Sequence, residues 1–181
     1  RMGEDKARVE LAGRSLLIRA AARLSPQVDT MAVNANRAHP LPSGSVLIGD
    51  PVGGHPGPLA GILAGLEWAE NLKPRPAYVA FIPVDAPFLP DNLVARLVAA
   101  ADGNKIVVAR SQGHVHPVVS LWPVNESGLL RLNILSGGPR KVIAYIETQP
   151  HAFVDFDDES AFFNINTPDD LSAAAARLEH A

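Results

Sequence analysis

The sequence YVAFIPVDAP at residues 78–87 contains the clearest buried strand of this chain. Up to Val84 it is apolar apart from Tyr78 and a late Pro83, as expected for a strand that is covered on both faces of a sheet. Asp85 then follows, so its carboxylate should emerge at the carboxyl edge of the sheet, where open α/β sheets gather their ligands. Asp85 is therefore predicted either to cap the turn that follows or to serve a ligand.

Strand and helix patterns alternate on both sides of this segment. Further strands are predicted at Thr30–Val33, Ser45–Ile48, Lys105–Ala109 and Val118–Trp122. Apolar residues at helical spacing predict helices at Arg14–Leu24, Leu59–Ala69, Leu93–Val98 and Leu129–Leu135. This alternation predicts an α/β fold, a three-layer sandwich around a mostly parallel sheet, formed by one domain over residues 1–181.

The last helix has the strongest start signal. Thr167 is suited to the N-cap and Pro168 to the first helical position, and Asp170 completes a pair that resembles a capping box. Just before it, Asn164 and Asn166 should share one face while the residue between them points into the core. The two asparagines either order the turn or face a ligand.

The composition excludes several classes of protein. The 181 residues include no cysteine, which rules out disulfides, a thiolate zinc site and a cysteine nucleophile. A net charge of -3 gives no electrostatic reason to expect a nucleic acid or a membrane as partner. The apolar runs also fall far short of the roughly 18 residues that span a bilayer. We therefore expect a cytoplasmic protein that handles small phosphate compounds.

Other polar residues also follow predicted strands. Asn34 and Asn36 come after the first strand, Asp50 comes after the second, and a glycine-rich loop at residues 53–58 leads into a helix. Taken singly, these residues are typical turn formers, and Lys6 is typical of a solvated surface. Because all of them are expected on one rim of the sheet, together they predict a ligand site at that rim.

Other catalytic patterns are not found in the sequence. It contains no serine, histidine and acid arrangement, no Walker-type loop and no dinucleotide fingerprint. His114 and His116 could form a metal pair, but no third ligand stands at motif spacing, so hydrogen-bonded structural histidines are expected. Trp68 and Trp122 are expected to pack in the core rather than stack on a base.

Six motifs, taken in order, resemble those of the molybdenum cofactor guanylyltransferases. They are RMGEDK at 1–6, NANR at 34–37, GPLAGI at 57–62, PVDAPF at 83–88, HP at 116–117 and FNINTPDDL at 163–171. The resemblance implies a Rossmann-like nucleotidyltransferase fold of the nucleotide-diphospho-sugar transferase type. It implies the transfer of GMP from GTP to the phosphate of molybdenum-molybdopterin, with Mg²⁺, or Mn²⁺ in its place, as cofactor. Transient contacts with molybdopterin-handling proteins would accompany this activity.

The resemblance also implies roles for single residues. Lys6 would meet the triphosphate, Asn34 and Asp50 would contact guanine or ribose, and Asp85 would hold the metal ion. Lys6 and Asp85 would thereby be the catalytic residues. The pterin side would be formed by Arg1, Gly3, Gly57, Gly61, Asn164 and Asn166, with Arg140 or Lys141 as a neighbour.

One further expectation concerns the first strand of the family. The family's opening signature is a strand end and a glycine loop that continue into Arg-Met-Gly, and the sequence begins inside that signature, at Arg1. The resemblance therefore implies that the inner first strand and the phosphate-wrapping glycines are not among the 181 residues. A sheet without that strand should contain a slot between two unpaired strand edges.

Two alternatives stay open at this point. A cytidylyltransferase that acts on the same pterin shares the GPLAG and NTP patterns, whereas the NAN and PVDAP segments favour guanylyl transfer. The second alternative is a catalytically silent module that binds nucleotide or cofactor for a partner protein. Lys6, Asp50 and Asp85 together argue against such a module, because a scaffold has no evident need for a metal-binding carboxylate.

Overall fold

The computed structural model describes residues 6–38, 40–53 and 57–179. Its strands are β1 (Glu10–Leu11), β2 (Arg14–Ser15), β3 (Met31–Asn34), β4 (Ser45–Ile48), β5 (Tyr78–Phe81), β6 (Ile106–Ser111), β7 (His114–Pro123) and β8 (His151–Phe156). Its α-helices are α1 (Leu16–Leu24), α2 (Pro58–Glu70), α3 (Leu93–Ala99), α4 (Ser127–Leu135), α5 (Val142–Ile146) and α6 (Pro168–Glu179). Short 3₁₀ turns lie at Lys6–Arg8, Ser25–Gln27, Val124–Glu126 and Glu159–Phe162.

The main sheet has the strand order β5-β7-β6-β8. β6 and β8 are parallel, and β7 lies antiparallel between β5 and β6. Three of the four strands therefore point the same way, as the prediction of a mostly parallel sheet requires. Their carboxyl ends, including Phe81 and Ser111, lie at one edge of the sheet.

Helices cover both faces of this sheet, because the strands are apolar on both. Ile106 and Val108 of β6 pack into a core with α2, α4 and α5. The intervening Val107 and Ala109 pack into a second core with α3 and the turn at Glu159–Phe162. Side chains of a strand alternate between its two faces, so the two cores lie on opposite faces of the sheet. Each core fills the space between the sheet and a layer of helices, which gives three layers in all. The predicted α/β sandwich is confirmed.

The strands β3 and β4 form a separate parallel pair. The pairings of the described strands leave one edge of β3 and one edge of β5 without a strand partner. An apolar cavity of about 1000 Å³ lies between them, lined by Val33, Val79, α1 and α2 among others. An inner strand at this position stays a prediction.

Several predicted elements have different limits in the structure. The strand expected to reach Val84 ends at Phe81, because Pro83 has no N–H to donate to a ladder. The strand expected at Val118–Trp122 begins four residues earlier, at His114. Trp122 is fully buried, as predicted, and its indole N–H donates to Ser120 at 2.8 Å.

The start of α6 agrees with the prediction from its sequence. The Asp170 N–H donates to Thr167 Oγ1 at 3.1 Å, and the Asp170 carboxylate accepts the Thr167 N–H at 2.9 Å. Such a cap stabilises a helix by about 1 kcal/mol. Within the described ranges, no helix combines the length and the hydropathy that crossing a membrane requires.

Candidate active site

Three side chains from distant parts of the chain meet beside the carboxyl end of β5. The Lys6 ammonium lies 2.6 Å from Asp85 Oδ2 and 2.5 Å from Asn166 Oδ1. The Asp85 side chain is 16% exposed and that of Lys6 is 35% exposed, so the group is half-buried but open to ligands. We call these three residues the cation cluster.

Backbone contacts hold the cation cluster in place. The Ile165 N–H donates to the Asp85 carbonyl at 2.9 Å, and the Ile165 side chain is fully buried. Asn164 and Asn166 on either side of it are exposed, which confirms the predicted alternation. The Asn166 N–H donates to Asp170 at 2.9 Å, and this bond, with that from Thr167, holds the pKa of Asp170 below its ordinary value. The cap of α6 thus fixes the segment that carries Asn166.

A second polar group lies after β3 and β4. Asp50 Oδ1 accepts the Asn34 amide at 3.0 Å, and Asp50 Oδ2 accepts the Asn36 amide at 2.8 Å. The Asp50 N–H donates back to Asn36 Oδ1 at 3.0 Å. The parallel pairing of β3 with β4 brings these two strand ends together, with Asn34 opposite Ile48. We call Asn34, Asn36 and Asp50 the amide clamp.

Helix α2 contacts the amide clamp through a glycine. A methyl group on Gly61 would lie only 2.6 Å from Asn34 Oδ1, so any larger residue there would displace the Asn34 amide. Gly57 and Gly61 line the same cavity as Asn34 and Asp50. The structure therefore brings Gly61 next to Asn34 on the expected nucleotide side, places Gly57 at the same cavity, and brings Asn166 next to Lys6.

The cation cluster offers oxygen ligands of the kind that a hard metal ion prefers. Two oxygen atoms, one from a carboxylate and one from an amide, converge on a single ammonium group. Mg²⁺ prefers oxygen ligands and is often held by one or two carboxylates together with substrate phosphates. Among the described residues, no group of three histidine, cysteine, aspartate or glutamate side chains could hold a metal. The residues at Asp85 thus fit an ion whose other ligands are phosphate and water.

Comparison with known proteins connects this site to a family. A family model described as the MobA-like NTP transferase domain matches residues 1–152. A molybdenum cofactor guanylyltransferase of Rhodopseudomonas palustris is 44% identical over 178 residues, which cover 95% of this chain and 85% of the relative. The chain belongs to the molybdenum cofactor guanylyltransferase family. The resemblance found in the six sequence motifs is thereby confirmed.

Solved structures agree with this family in fold. The molybdopterin-guanine dinucleotide biosynthesis protein A of Archaeoglobus fulgidus is 23% identical, with a TM-score of 0.75 and coverage of 99% of this chain and 93% of that one. A Mycobacterium tuberculosis protein in complex with manganese is 16% identical, with a TM-score of 0.69 and coverage of 97% and 94%. At these identities the likeness concerns the nucleotidyltransferase fold alone.

The other candidates for the guanylyltransferase site lie elsewhere or outside the described residues. Arg1 and Gly3 belong to the part of the chain that the structure does not describe. Arg140 and Lys141 are exposed residues directly before α5. Their role, like that of the other candidates, stays a prediction.

The two histidines have separate partners. His114 Nδ1 pairs with Glu159 at 2.6 Å, whereas His116 Nε2 pairs with Ser111 Oγ at 2.7 Å. The His116 ring also stacks on Phe162, and burial, followed by the nearby His114, lowers its pKa. Both are hydrogen-bonded histidines, as expected.

Proposed function

We propose that this chain transfers GMP from GTP to the phosphate of molybdenum-molybdopterin and releases pyrophosphate. Two features support this proposal: the family to which the chain belongs, and the convergence of Lys6, Asp85 and Asn166 at the rim of the sheet. The convergence of these three side chains is the observation that supports the reaction type, because nucleotidyl transfer needs charge neutralisation and positioning more than covalent catalysis.

The nucleotide is bound between the cation cluster and the amide clamp. Lys6 supplies a positive point charge to the triphosphate, as lysine does in many phosphate sites. Asn34 and Asp50 provide amide and carboxylate groups for guanine or ribose. The location of both residues at the ends of adjacent parallel strands supports this role.

Asp85 would hold the metal ion, and the side-chain oxygen of Asn166, which accepts from the same Lys6 ammonium, is the second oxygen donor of the cation cluster. The oxygen donors suit Mg²⁺, with Mn²⁺ as a substitute, and the structural neighbour in complex with manganese is consistent with such an ion. When bound, the ion neutralises charge on the triphosphate and on the departing pyrophosphate. Lys6 already contacts the Asp85 carboxylate, so this side chain would hold both the ammonium and the ion close to the phosphates.

The acceptor side supplies the attacking oxygen. Arg1, Gly3, Gly57, Gly61, Asn164 and Asn166 line this side in our proposal. An oxygen of the pterin phosphate attacks the α-phosphorus of GTP, a new P–O bond forms, and the bond to the β-phosphate breaks. A phosphate monoester has a second pKa near 6, so it is already largely ionised at pH 7 and no general base is required. This explains why the described site offers no catalytic triad.

The proposal includes the setting of the enzyme. Residues 1–181 form a single nucleotidyltransferase domain, which works in the cytoplasm and meets molybdopterin-handling proteins transiently. GTP and molybdenum-molybdopterin are its two substrates.

Two measurements test this function. Pyrophosphate release in the presence of GTP, Mg²⁺ and molybdenum-molybdopterin separates an enzyme from a silent binding module. Thermal-shift titrations with GTP and CTP compare the two bases, because a ligand that binds only the native state stabilises it in proportion to its affinity. We expect turnover and a larger shift with GTP. Binding of GTP without any turnover would overturn the enzymatic proposal.

A further inference from the structure

Asn36 makes two hydrogen bonds to Asp50 in the amide clamp, although the family resemblance gives it no role. Its amide group donates to Asp50 Oδ2 at 2.8 Å, and its carbonyl accepts the Asp50 N–H at 3.0 Å. Asn36 is therefore hydrogen-bonded to both the side chain and the backbone of Asp50. Asn34, by contrast, donates its amide to Asp50 Oδ1 and to the Ile48 carbonyl.

The clamp leaves a defined set of acceptors on Asp50. A carboxylate offers about four lone-pair sites, two on each oxygen. Among the described residues, Asn34 uses one site on Oδ1 and Asn36 uses one site on Oδ2, which leaves one site on each oxygen for a ligand. Two neighbouring acceptors in a fixed plane match a ligand that presents two neighbouring donors.

We propose that Asn36 is a positioning residue that fixes the Asp50 carboxylate for a pair of adjacent donor groups on the nucleotide. The inference rests on the proposed function only in taking a nucleotide as the ligand. Two parts of GTP have this chemistry: the N1–H and amino group of guanine, and the two hydroxyls of ribose. Cytosine has no such pair of adjacent donors on its pairing edge, so only the first part would contribute to a choice of base.

Two substitutions of Asn36 separate positioning from loop folding. Asn36→Asp keeps the carbonyl-type oxygen that accepts the Asp50 N–H, but places a second negative charge against Asp50 Oδ2. Asn36→Leu removes both contacts. A residue that merely orders the turn would tolerate the aspartate, because the bond to the backbone is retained. A residue that positions Asp50 would not.

The experiment measures binding of GTP, ITP and 2′-deoxyGTP by calorimetry in the presence of Mg²⁺. We expect both variants to weaken GTP binding by about tenfold, the effect of one hydrogen bond to a charged group. If Asp50 contacts guanine, the preference for GTP over ITP, which lacks the amino group, falls as well. If Asp50 contacts ribose, the preference for GTP over 2′-deoxyGTP falls instead. Asn104→Leu, in an exposed turn, is the control and should bind as the wild type does.

Clear results would overturn the inference. Wild-type affinity and analogue preference in Asn36→Asp would show that Asn36 only orders the loop. Loss of affinity with both analogue preferences unchanged would show that Asp50 does not contact the nucleotide. Binding is measured without the pterin, so a failure of the proposed GMP transfer with GTP binding intact remains distinguishable from a failure here.

Discussion

The Lys6 ammonium lies 2.6 Å from Asp85 Oδ2, although 79 residues separate the two in the chain. Asn166 contacts the same ammonium from a third segment. In this structure a lysine thus lies where the oxygen donors would suit a divalent cation. The same pair of residues serves the triphosphate and the metal in the proposed reaction, so binding of the two ligands should be coupled through Lys6.

Asp85→Asn should retain the fold but lose most activity, because it removes the anionic ligand of the metal while preserving volume. Loss of such charge stabilisation costs several kcal/mol in the transition state, which corresponds to a fall of at least about 100-fold in turnover. Pyrophosphate release measures the activity, and circular dichroism checks the fold. Turnover within about threefold of the wild type would be incompatible with this role for Asp85.

Lys6→Met should bind Mn²⁺ more tightly than the wild type when no nucleotide is present, because a competing ammonium is removed from Asp85. GTP should bind more weakly to the same variant, since the charge that meets the triphosphate is lost. Electron paramagnetic resonance of free Mn²⁺ and calorimetry of GTP provide the two affinities. Lys105→Met removes a surface ion pair with Asp102 and is the matched control. Unchanged or weaker Mn²⁺ binding in Lys6→Met would contradict the competition.

Gly61→Ala should raise the KM for GTP by about tenfold, equivalent to about 1.4 kcal/mol. The added methyl group would lie 2.6 Å from Asn34 Oδ1 and would push this amide away from Asp50. Gly128→Ala is the matched control, because a methyl group there would meet no described atom within 4 Å outside its chain neighbours and its own helix backbone. The control should keep its kinetics and gain roughly 0.4–1 kcal/mol of stability. Equal kinetics in both variants would argue against a close contact of α2 with the clamp.

Glu126→Gln should make the protein relatively more stable as the pH rises. Burial raises the pKa of Glu126 above its ordinary value of 4.5, and the Tyr145 hydroxyl donates to its carboxyl group. A raised pKa in the folded state gives stability below the unfolded pKa that is lost as the pH rises through the folded pKa. The difference in Tm between Glu126→Gln and wild type should therefore increase from pH 4 to pH 7. A difference for Glu126→Gln that does not vary with pH would contradict this prediction.

The parts of the fold that local patterns encode could be predicted from the sequence. Thr167 and Asp170 form the expected cap, because capping depends on residues three apart. The helix behind the glycine-rich loop begins at Pro58, one residue before the predicted Leu59. The core role of Trp122 follows from its place in an apolar strand.

Other features depend on contacts that local patterns do not encode. No local signal predicts β8 at His151–Phe156. Its partner strand β6 lies 45 residues earlier in the chain, with Arg110 of β6 opposite Asp155 of β8. The contact of Lys6 with Asp85 and Asn166 joins segments that only the complete fold brings together. The sequence predicts Asn36 as a turn former at the ligand rim of the sheet, but it gives no sign that Asn36 contacts Asp50. The hydrogen bonds between Asn36 and Asp50 depend on the pairing of β3 with β4, which brings the two strand ends together.

The most direct test of the proposed function is identification of the product. The protein is incubated with molybdopterin, molybdate, Mg²⁺ and either GTP or CTP, and the pterin compounds are analysed by mass spectrometry. We predict the guanine dinucleotide and an equal amount of pyrophosphate with GTP, and no dinucleotide with CTP. A cytosine dinucleotide, or no dinucleotide while GTP binds normally, would contradict the assignment of this chain as a molybdenum cofactor guanylyltransferase.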